Sequence, residues 1–428
     1  MTISRMMNAG LSGIQSTGRS LSVTSDNIAN INTVGHRSSR AVFQDVLTQN
    51  IVGVGDLGAG SRVASIESLF HQGTILGSAR ATDMAISGKG FFTLRGSVGG
   101  TDGQFYSRAG QFTTDNSGFL VNSDNLRLQG YPADARGNIL PTLGDLQLNT
   151  GLLPPVATTT ANLEIQFNGN PQDAVIPTPA APAPAFDPTD PATYSDQTTM
   201  TVYDSIGNGH RVDVYFVKRS LTSWEYHAQV DGGETVGGTA GTPITIETGT
   251  VNMTSGAFNN QTAVTTTPVD FLGATAGQSI NFDFAGSTGV SHDVNASYAV
   301  RAAGQDGSAP AEFLEVAINT DGTIDARYND GRVRTVGRVA LASFTSEVNL
   351  TRMGGTLFQQ TPLSGEAAIG FAGAGGRGSL QGSALESSNV DLSTEFVNLI
   401  TDQRAYQATS RTITTADELL VETVNLKR

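Results

Sequence analysis

The sequence predicts an α+β, multidomain protein: a terminal α-helical coiled-coil domain formed by both chain ends, with two mainly-β domains inserted between them. Three observations carry this. Apolar residues recur at alternating steps of four and three at each terminus, the period of a helical seam. Between the termini the pattern switches to period two, as in strands whose side chains alternate between faces. The 428 residues also include 50 glycines, which supply the tight turns that many short strands need.

At the N-terminal end Met7, Leu11, Ile14, Gly18, Leu21, Ser25 and Ile28 form the first seam, with Gly18 and Ser25 small enough to allow close approach. At the other end Phe396, Leu399, Gln403, Tyr406, Ser410, Ile413, Asp417, Leu420 and Val424 repeat the spacing, and Val397, Ile400 and Leu419 widen the stripe. Neither stripe has a helical neighbour in sequence, so packing on each other is the simplest way to cover both. The chain then leaves through β-domains and returns, which makes the domains nearest the helices discontinuous. Isolated helices of this length are marginal, and the seams bury too little to offset the entropy of ordering. Both ends are therefore expected to be disordered in a free monomer and to become helical on assembly.

Strands are legible in the middle. "TTMTVYDSIGNGHRVDVYFVKRS" places Val212, Val214 and Phe216 on one face and joins that strand to 200–203 through Gly207, Asn208 and Gly209, a hairpin turn. Trp224, Tyr226, Ala228 and Val230 alternate in a third strand ending at Asp231, Gly232 and Gly233, and Ile280, Phe282 and Phe284 alternate further on. "GQFTTDNSGFLVNSDNLRLQGY" reads as three short strands separated by turns at 115–118 and 122–125. The Pro/Ala-rich stretch 176–194 reads as an extended spacer, and the Gly-rich stretch 370–389 as a flexible return path. Whether 232–309 is part of one domain or a small extra one stays open.

The chemistry-bearing motifs are weak. With 25 Lys and Arg against 39 Asp and Glu, the formal charge is −14, which disfavours nucleic acid as a partner. No cysteine is present, so thiolate metal sites, cysteine nucleophiles and disulfides are excluded. "GVGDLG" (Gly53, Gly55, Gly58) and "GAGGRG" (Gly373, Gly375, Gly378) match a dinucleotide string but open no convincing helix. In "SGKGFF", Gly90 stands where a phosphate loop needs Ser or Thr, so Gly88, Lys89 and Gly90 read as a hairpin turn. His36, His71, His210, His227 and His292 are dispersed, and neither a zinc pair nor a serine elbow occurs. Asp-Gly turns such as "NTDGTID" lack the carboxylate run of a calcium loop, although a metal there stays open. No enzyme activity, cofactor or metal is expected. The start "MTISRMMNAGLSGIQSTGR" is not a cleavable leader, and no run is long enough to insert in a membrane. Export, if it occurs, is expected without a cleaved signal peptide.

The amide-rich stretch "TSDNIANINT" remains. "SDNIANINTVGHRSSR" resembles the N-terminal signature of the bacterial flagellar rod and hook proteins through Asn27, Ile28, Ala29, Asn30, Thr33 and Gly35, with Asp26 and His36 as departures from it. "LESSNVDLSTEFVNLITDQRAYQATSRTITTADELL", with Gln403, Arg404 and Tyr406, is similar to the matching C-terminal signature. Further segments, including "HQGTILGSARATDMAISGKGFFTL" and "VYDSIGN", resemble the hook proteins of that axial family rather than the shorter distal rod proteins.

The resemblance implies a non-enzymatic subunit of a curved extracellular tube, a universal joint transmitting torque between motor and filament. It implies a homopolymer, export through the type III apparatus, and a hook cap, distal rod and hook-filament junction proteins as partners. It also implies a layered organisation: a helical inner domain from 1–32 plus 386–428, an extended linker at 33–70, a middle β-domain from 71–148 plus 332–385, and an outer β-domain at 149–331. The inner-helix interface is expected at Met7, Leu11, Ile14, Gly18, Leu21, Ile28, Phe396, Leu399, Tyr406, Ile413, Leu420 and Val424. Asn30 or Asn32 is expected to close the first helix in the left-handed conformation, and Asn27 to bond a neighbouring subunit. A distal rod subunit, or a secreted surface enzyme or glycan-binding β-protein, are the alternative readings.

Overall fold

A computed structural model describes residues 2–47, 58–134, 136–148, 151–168, 186–290 and 298–425. Gly53, Gly55, His292 and most of the Pro/Ala-rich stretch lie outside the described residues, as does the side chain of Val424. The chain divides into two compact units, Met1–Thr150 with Phe313–Arg428, and Gly151–Glu312.

The first unit holds both helices, α1 (Thr2–Ala29) and α2 (Leu392–Asn425). Two long strands follow α1: β1 (Ser39–Leu47) pairs antiparallel with β2 (Gly58–Ser68). The region expected to be an extended linker is thus largely a β-hairpin, and it lies against α1, where the Ser16 and Ser61 hydroxyls meet at 2.9 Å. The main sheet has twelve strands drawn from both halves of the chain; Val333–Ser343 pairs with Phe91–Val98 and with Arg127–Pro132. Its core is apolar, with Phe92, Leu94, Phe105, Leu128, Ile324, Val339 and Leu341 buried. A smaller aromatic cluster sits beside it, in which Phe91 meets Phe358 at 5.8 Å and Phe70 at 5.7 Å.

Three expectations change here. Strands Phe313–Ile318 and Thr323–Tyr328, assigned in sequence to the outer domain, hydrogen-bond into this sheet, so the second unit stops at Glu312. The Gly-rich return path is not free chain, because Ser379–Gly382 pairs with Met84–Ser87 and Ala384–Glu386 pairs with Ile75–Gly77. Gly88 and Gly90 do take positive φ, but their turn joins Met84–Ser87 to Phe91–Val98, strands of different sheets, and is not a hairpin.

Among the described residues, the second unit is a nine-stranded sheet. Asp196–Tyr203, Gly209–Ser220 and Ser223–Asp231 follow one another antiparallel, as the alternation predicts. Their inward residues Val212, Val214, Phe216, Trp224 and Tyr226 are buried, and Trp224 stacks on Phe167 with ring centroids 4.8 Å apart. Pro243–Thr254 adds to Ser223–Asp231 and shares this core through Ile246 and Val251, so residues 232–309 contribute to one domain. Leu153 N–H donates to Ala311 C=O at 2.8 Å, bringing the two ends of the unit together. By sequence this unit has 16 acidic and 4 basic residues (4 − 16 = −12), leaving −2 of the −14 for the first unit.

Candidate assembly interface and the junction of the chain ends

α1 and α2 run antiparallel, and the face that α1 turns toward α2 is small and polar. A Cβ on Gly10 would lie 2.9 Å from Ile413 Cγ1, and one on Gly13 would lie 2.9 Å from Thr409 Cγ2. Further along, the Ser20 and Thr24 hydroxyls donate to Asp402 Oδ2 at 2.9 and 3.2 Å, and Asn27 Nδ2 donates to Glu395 Oε1 at 3.2 Å. The contact positions on α1 are therefore 10, 13, 20, 24 and 27, one step around the helix from the apolar seam expected to join the two. Small residues let the backbones approach, and hydroxyls satisfy Asp402 where an apolar seam could not.

The expected interface residues divide accordingly. Met7, Leu11, Phe396 and Tyr406 are exposed, and Ile14, Gly18, Leu21, Ile28, Leu399, Ile413 and Leu420 are half-buried. Gly18 lies beside the Tyr406 ring, and Ile413 beside Gly10. Val397 and Ile400 remain 64% and 50% exposed, although apolar residues favour burial. Gln403 and Arg404 are also on the surface.

The amides of the opening stretch act within the chain. Asn27, 1% exposed, pairs with Ser39 as a neighbouring strand would: Ser39 N–H donates to Asn27 Oδ1 and Asn27 Nδ2 donates to Ser39 C=O, both at 2.8 Å. With Glu395 as a third partner, this amide is engaged within its own chain, and a bond to a neighbouring subunit is not needed to satisfy it. Asn27→Ala should therefore weaken the isolated monomer by about 2–3 kcal/mol, since it strands a buried N–H and C=O. Urea denaturation of monomer checks this. Neither Asn30 nor Asn32 has positive φ; Asn30 instead donates from Nδ2 to Asp26 C=O at 2.9 Å and accepts from Thr33 Oγ1 at 3.1 Å. The left-handed residue is Gly35, at φ +70°, where a Cβ would come within 2.4 Å of the Ala109 nitrogen. Ile28 and Thr33 are half-buried, and Ala29 is exposed.

Beyond Gly35 the two chain ends are tied by residues that sequence reasoning passed over. Arg37 Nη2 donates to Glu386 Oε1 at 2.8 Å, and Arg108 Nη1 to Glu386 Oε2 at 3.3 Å. The Arg37 and Glu386 side chains are fully buried. Burial pulls the Arg108 guanidinium down to about 10, with Glu386 opposing the shift. Asn389 works beside them: its Oδ1 accepts from Ser38 N–H at 2.7 Å and its Nδ2 donates to Leu69 C=O at 2.7 Å. The available signal was that Arg37, Glu386 and Asn389 lie inside the two terminal motifs.

His36, also buried, is held below its ordinary 6.5 chiefly by desolvation, then by the Arg352 charge; Asp26 pulls the other way and Arg37 adds to the lowering. The neutral ring is thus favoured in the folded chain. Its contribution is complete above pH 6.5, the unfolded value, and is lost as the pH falls below it. Urea midpoints of the first unit should drop more between pH 7.5 and 5.5 for wild type than for His36→Phe. The other described histidines have structural roles: His210 lies between Glu234 at 2.7 Å and Asp204 at 3.1 Å, His227 stacks on Phe186, and His71 meets Asn389 C=O. Among the described residues, no cluster of three or more His, Asp or Glu is arranged to hold a metal ion.

Comparison with known proteins fits these features. Four family models match separate stretches of the chain: "Flagella basal body rod protein" at 7–37, "Flagellar hook protein FlgE/F/G D1 domain" at 85–172, "Flagellar basal body protein FlaE D2 domain" at 166–308, and "Flagellar basal body rod FlgEFG protein C-terminal" at 381–426. The flagellar hook protein FlgE of Salmonella typhimurium is 35% identical over 432 residues, covering 97% of this chain and 98% of the relative. The chain belongs to the flagellar hook protein family. The Borreliella burgdorferi hook protein is 32% identical over 458 residues, with 99% of each chain covered. The crystal structure of Helicobacter pylori flagellar hook protein FlgE2 shares the fold, with a TM-score of 0.50 at 16% identity over 73% of this chain and 100% of that one. This chain is thus a structural subunit of the bacterial flagellar hook.

Proposed function

We propose that copies of this hook subunit polymerise through α1 and α2 into a flexible, curved extracellular tube that acts as a universal joint, carrying torque from rod to filament. The observation that carries this is the division of faces on the terminal helices. Their mutual contact uses Gly10, Gly13, Ser20, Thr24 and Asp402, while Met7, Leu11, Phe396, Val397 and Ile400 stay in water. A helix pair with so little apolar surface between its members gains its stability where a further partner covers that stripe. The seam Met7, Leu11, Ile14, Gly18, Leu21, Ile28, Phe396, Leu399, Tyr406, Ile413, Leu420 and Val424 is accordingly assigned to coiled-coil contacts between copies as well as within one. The hook cap, the distal rod, the hook-filament junction proteins and the type III export apparatus are its partners.

Charge tunes the assembly. The second unit's −12 makes neighbouring copies repel, and salt that shortens the screening length from about 10 Å at 0.1 M to about 3 Å at 1 M removes most of that repulsion. Electron microscopy of purified protein after addition of salt should show curved tubes. Straight rods would point to a rod subunit, and the absence of tubes would refute the assembly reading.

A further inference from the structure

A cleft of about 740 Å³ opens beside α1 in the first unit, between the helix face carrying Arg19 and Val23, the strand β2 at Val63 and Ile66, and the loop bearing Val348 and Leu350. Its walls are largely apolar, and Ile66 and Val348 stay 57% and 51% exposed there. Three charged side chains line it. Arg352 donates from Nη1 to Ser39 Oγ at 2.8 Å and lies 3.9 Å from Asp26, so that cation and that carboxylate offset each other. Arg19 is exposed, and among the described residues no carboxylate is ion-paired with it. The cleft thus sets an apolar floor beside one uncompensated cation, which suits an apolar segment edged with carboxylates.

The end of α2 has that character. Residues 412–426 include Asp417, Glu418 and Glu422 but no Lys or Arg. Glu418, Val421 and Glu422 share one side of the helix at steps of three and four, with Leu419 at its edge. Both glutamates are exposed, and Leu419 and Val421 are 42% and 56% exposed. A copy cannot fill its own cleft with this segment. The register that sets Gly10 beside Ile413 and Asn27 beside Glu395 puts the end of α2 level with the start of α1. The cleft lies level with 19–26, roughly 20 residues or about 30 Å away along the helix pair. Two different patches at opposite ends of one body make a head-to-tail contact, which propagates from copy to copy as a ring or a helical polymer requires.

We propose that the cleft beside α1 receives the end of α2 from an adjacent copy, with Val421 and Leu419 laid on Ile66 and Val348 and a carboxylate of Glu418 or Glu422 paired with Arg19. This names one contact within the assembly reading and rests on that reading.

Polymerisation of the full-length protein with reversed charges tests the pairing. Arg19→Glu, and Glu418→Arg with Glu422→Arg, should each leave the monomer Tm unchanged and raise the critical concentration about tenfold. The three substitutions together should bring it back to within about threefold of wild type. The absence of cysteine allows a second readout: in tubes of an Ile66→Cys, Val421→Cys variant, a short bis-maleimide should join copies into a ladder of dimers, trimers and longer species. The same variant as monomer, and tubes of either single-cysteine variant, should stay unjoined. Tubes of the double-cysteine variant that give no ladder overturn the proposal and leave the assembly reading standing. Where that variant forms no tubes although wild type does, the charge swap decides, and failure of the triple variant to recover overturns the proposal. If wild type itself forms no tubes, the assembly reading fails and this contact falls with it.

Discussion

Glu386→Gln is expected to cost the first unit about 3–5 kcal/mol, because it removes the counter-charge of two buried guanidiniums and leaves them uncompensated. The side chain joins segments far apart in sequence. Oε1 accepts from Arg37 and from Gly73 N–H at 2.8 Å, Oε2 accepts from Arg108, and the backbone carbonyl accepts from Gly35 N–H at 2.7 Å. A neutral amide turns a donor pair toward one of the arginines. The second unit should be untouched, since its core is its own. The single tryptophan makes this measurable: Trp224 reports only the second unit, so its fluorescence transition in urea should not move. Far-ultraviolet circular dichroism should meanwhile show a separate transition displaced by about 1–2 M. Replacing all three charges, with Arg37→Met, Arg108→Leu and Glu386→Leu together, should recover much of the loss, as buried ion clusters elsewhere tolerate apolar substitution. Equal displacement of both transitions by Glu386→Gln would show that the triad is not local to the first unit.

What was legible from sequence follows from the range of each interaction. The strands bearing Val212, Val214 and Phe216 and then Trp224, Tyr226 and Ala228 were readable because alternation is local and one face is buried. The turn at Gly207 was readable because few residues tolerate its φ of +88°. By contrast, the strands at 313–331 show the right period but were assigned to the wrong unit, since alternation fixes faces and not partners. The phase of the helices was misjudged for a related reason. Apolar spacing marks a surface suited to burial, here the exposed stripe that includes Leu11 and Phe396. It does not locate the surface already buried within the chain, which Gly10, Gly13, Ser20 and Thr24 provide through size and hydroxyl bonding. The Arg37, Arg108 and Glu386 triad spans the chain and has no local pattern at all. Only the placement of two of its members inside the terminal motifs hinted at a role.

That separation of faces gives the largest expected effect on function. Val397→Asp combined with Ile400→Asp should leave monomer stability within about 0.5 kcal/mol of wild type, because both side chains are in water already. Under the assembly proposed above the same positions become covered in the tube, each apolar side chain contributing about 1.5–3 kcal/mol on burial, so the critical concentration should rise about a thousandfold or more. Asp402→Ala should do the reverse in kind. It removes the acceptor of Ser20 and Thr24, loosens the helix pair within one copy, and acts on the seam between copies only through that loosening. Amide exchange distinguishes the two mechanisms: both terminal helices should exchange faster in monomer than in tubes, with Asp402→Ala eroding protection within each copy and the double Asp variant preventing tubes from forming. If the double variant polymerised as readily as wild type, the exposed stripe would not be the assembly surface, and the small polar face between α1 and α2 would have to carry the contacts between copies instead.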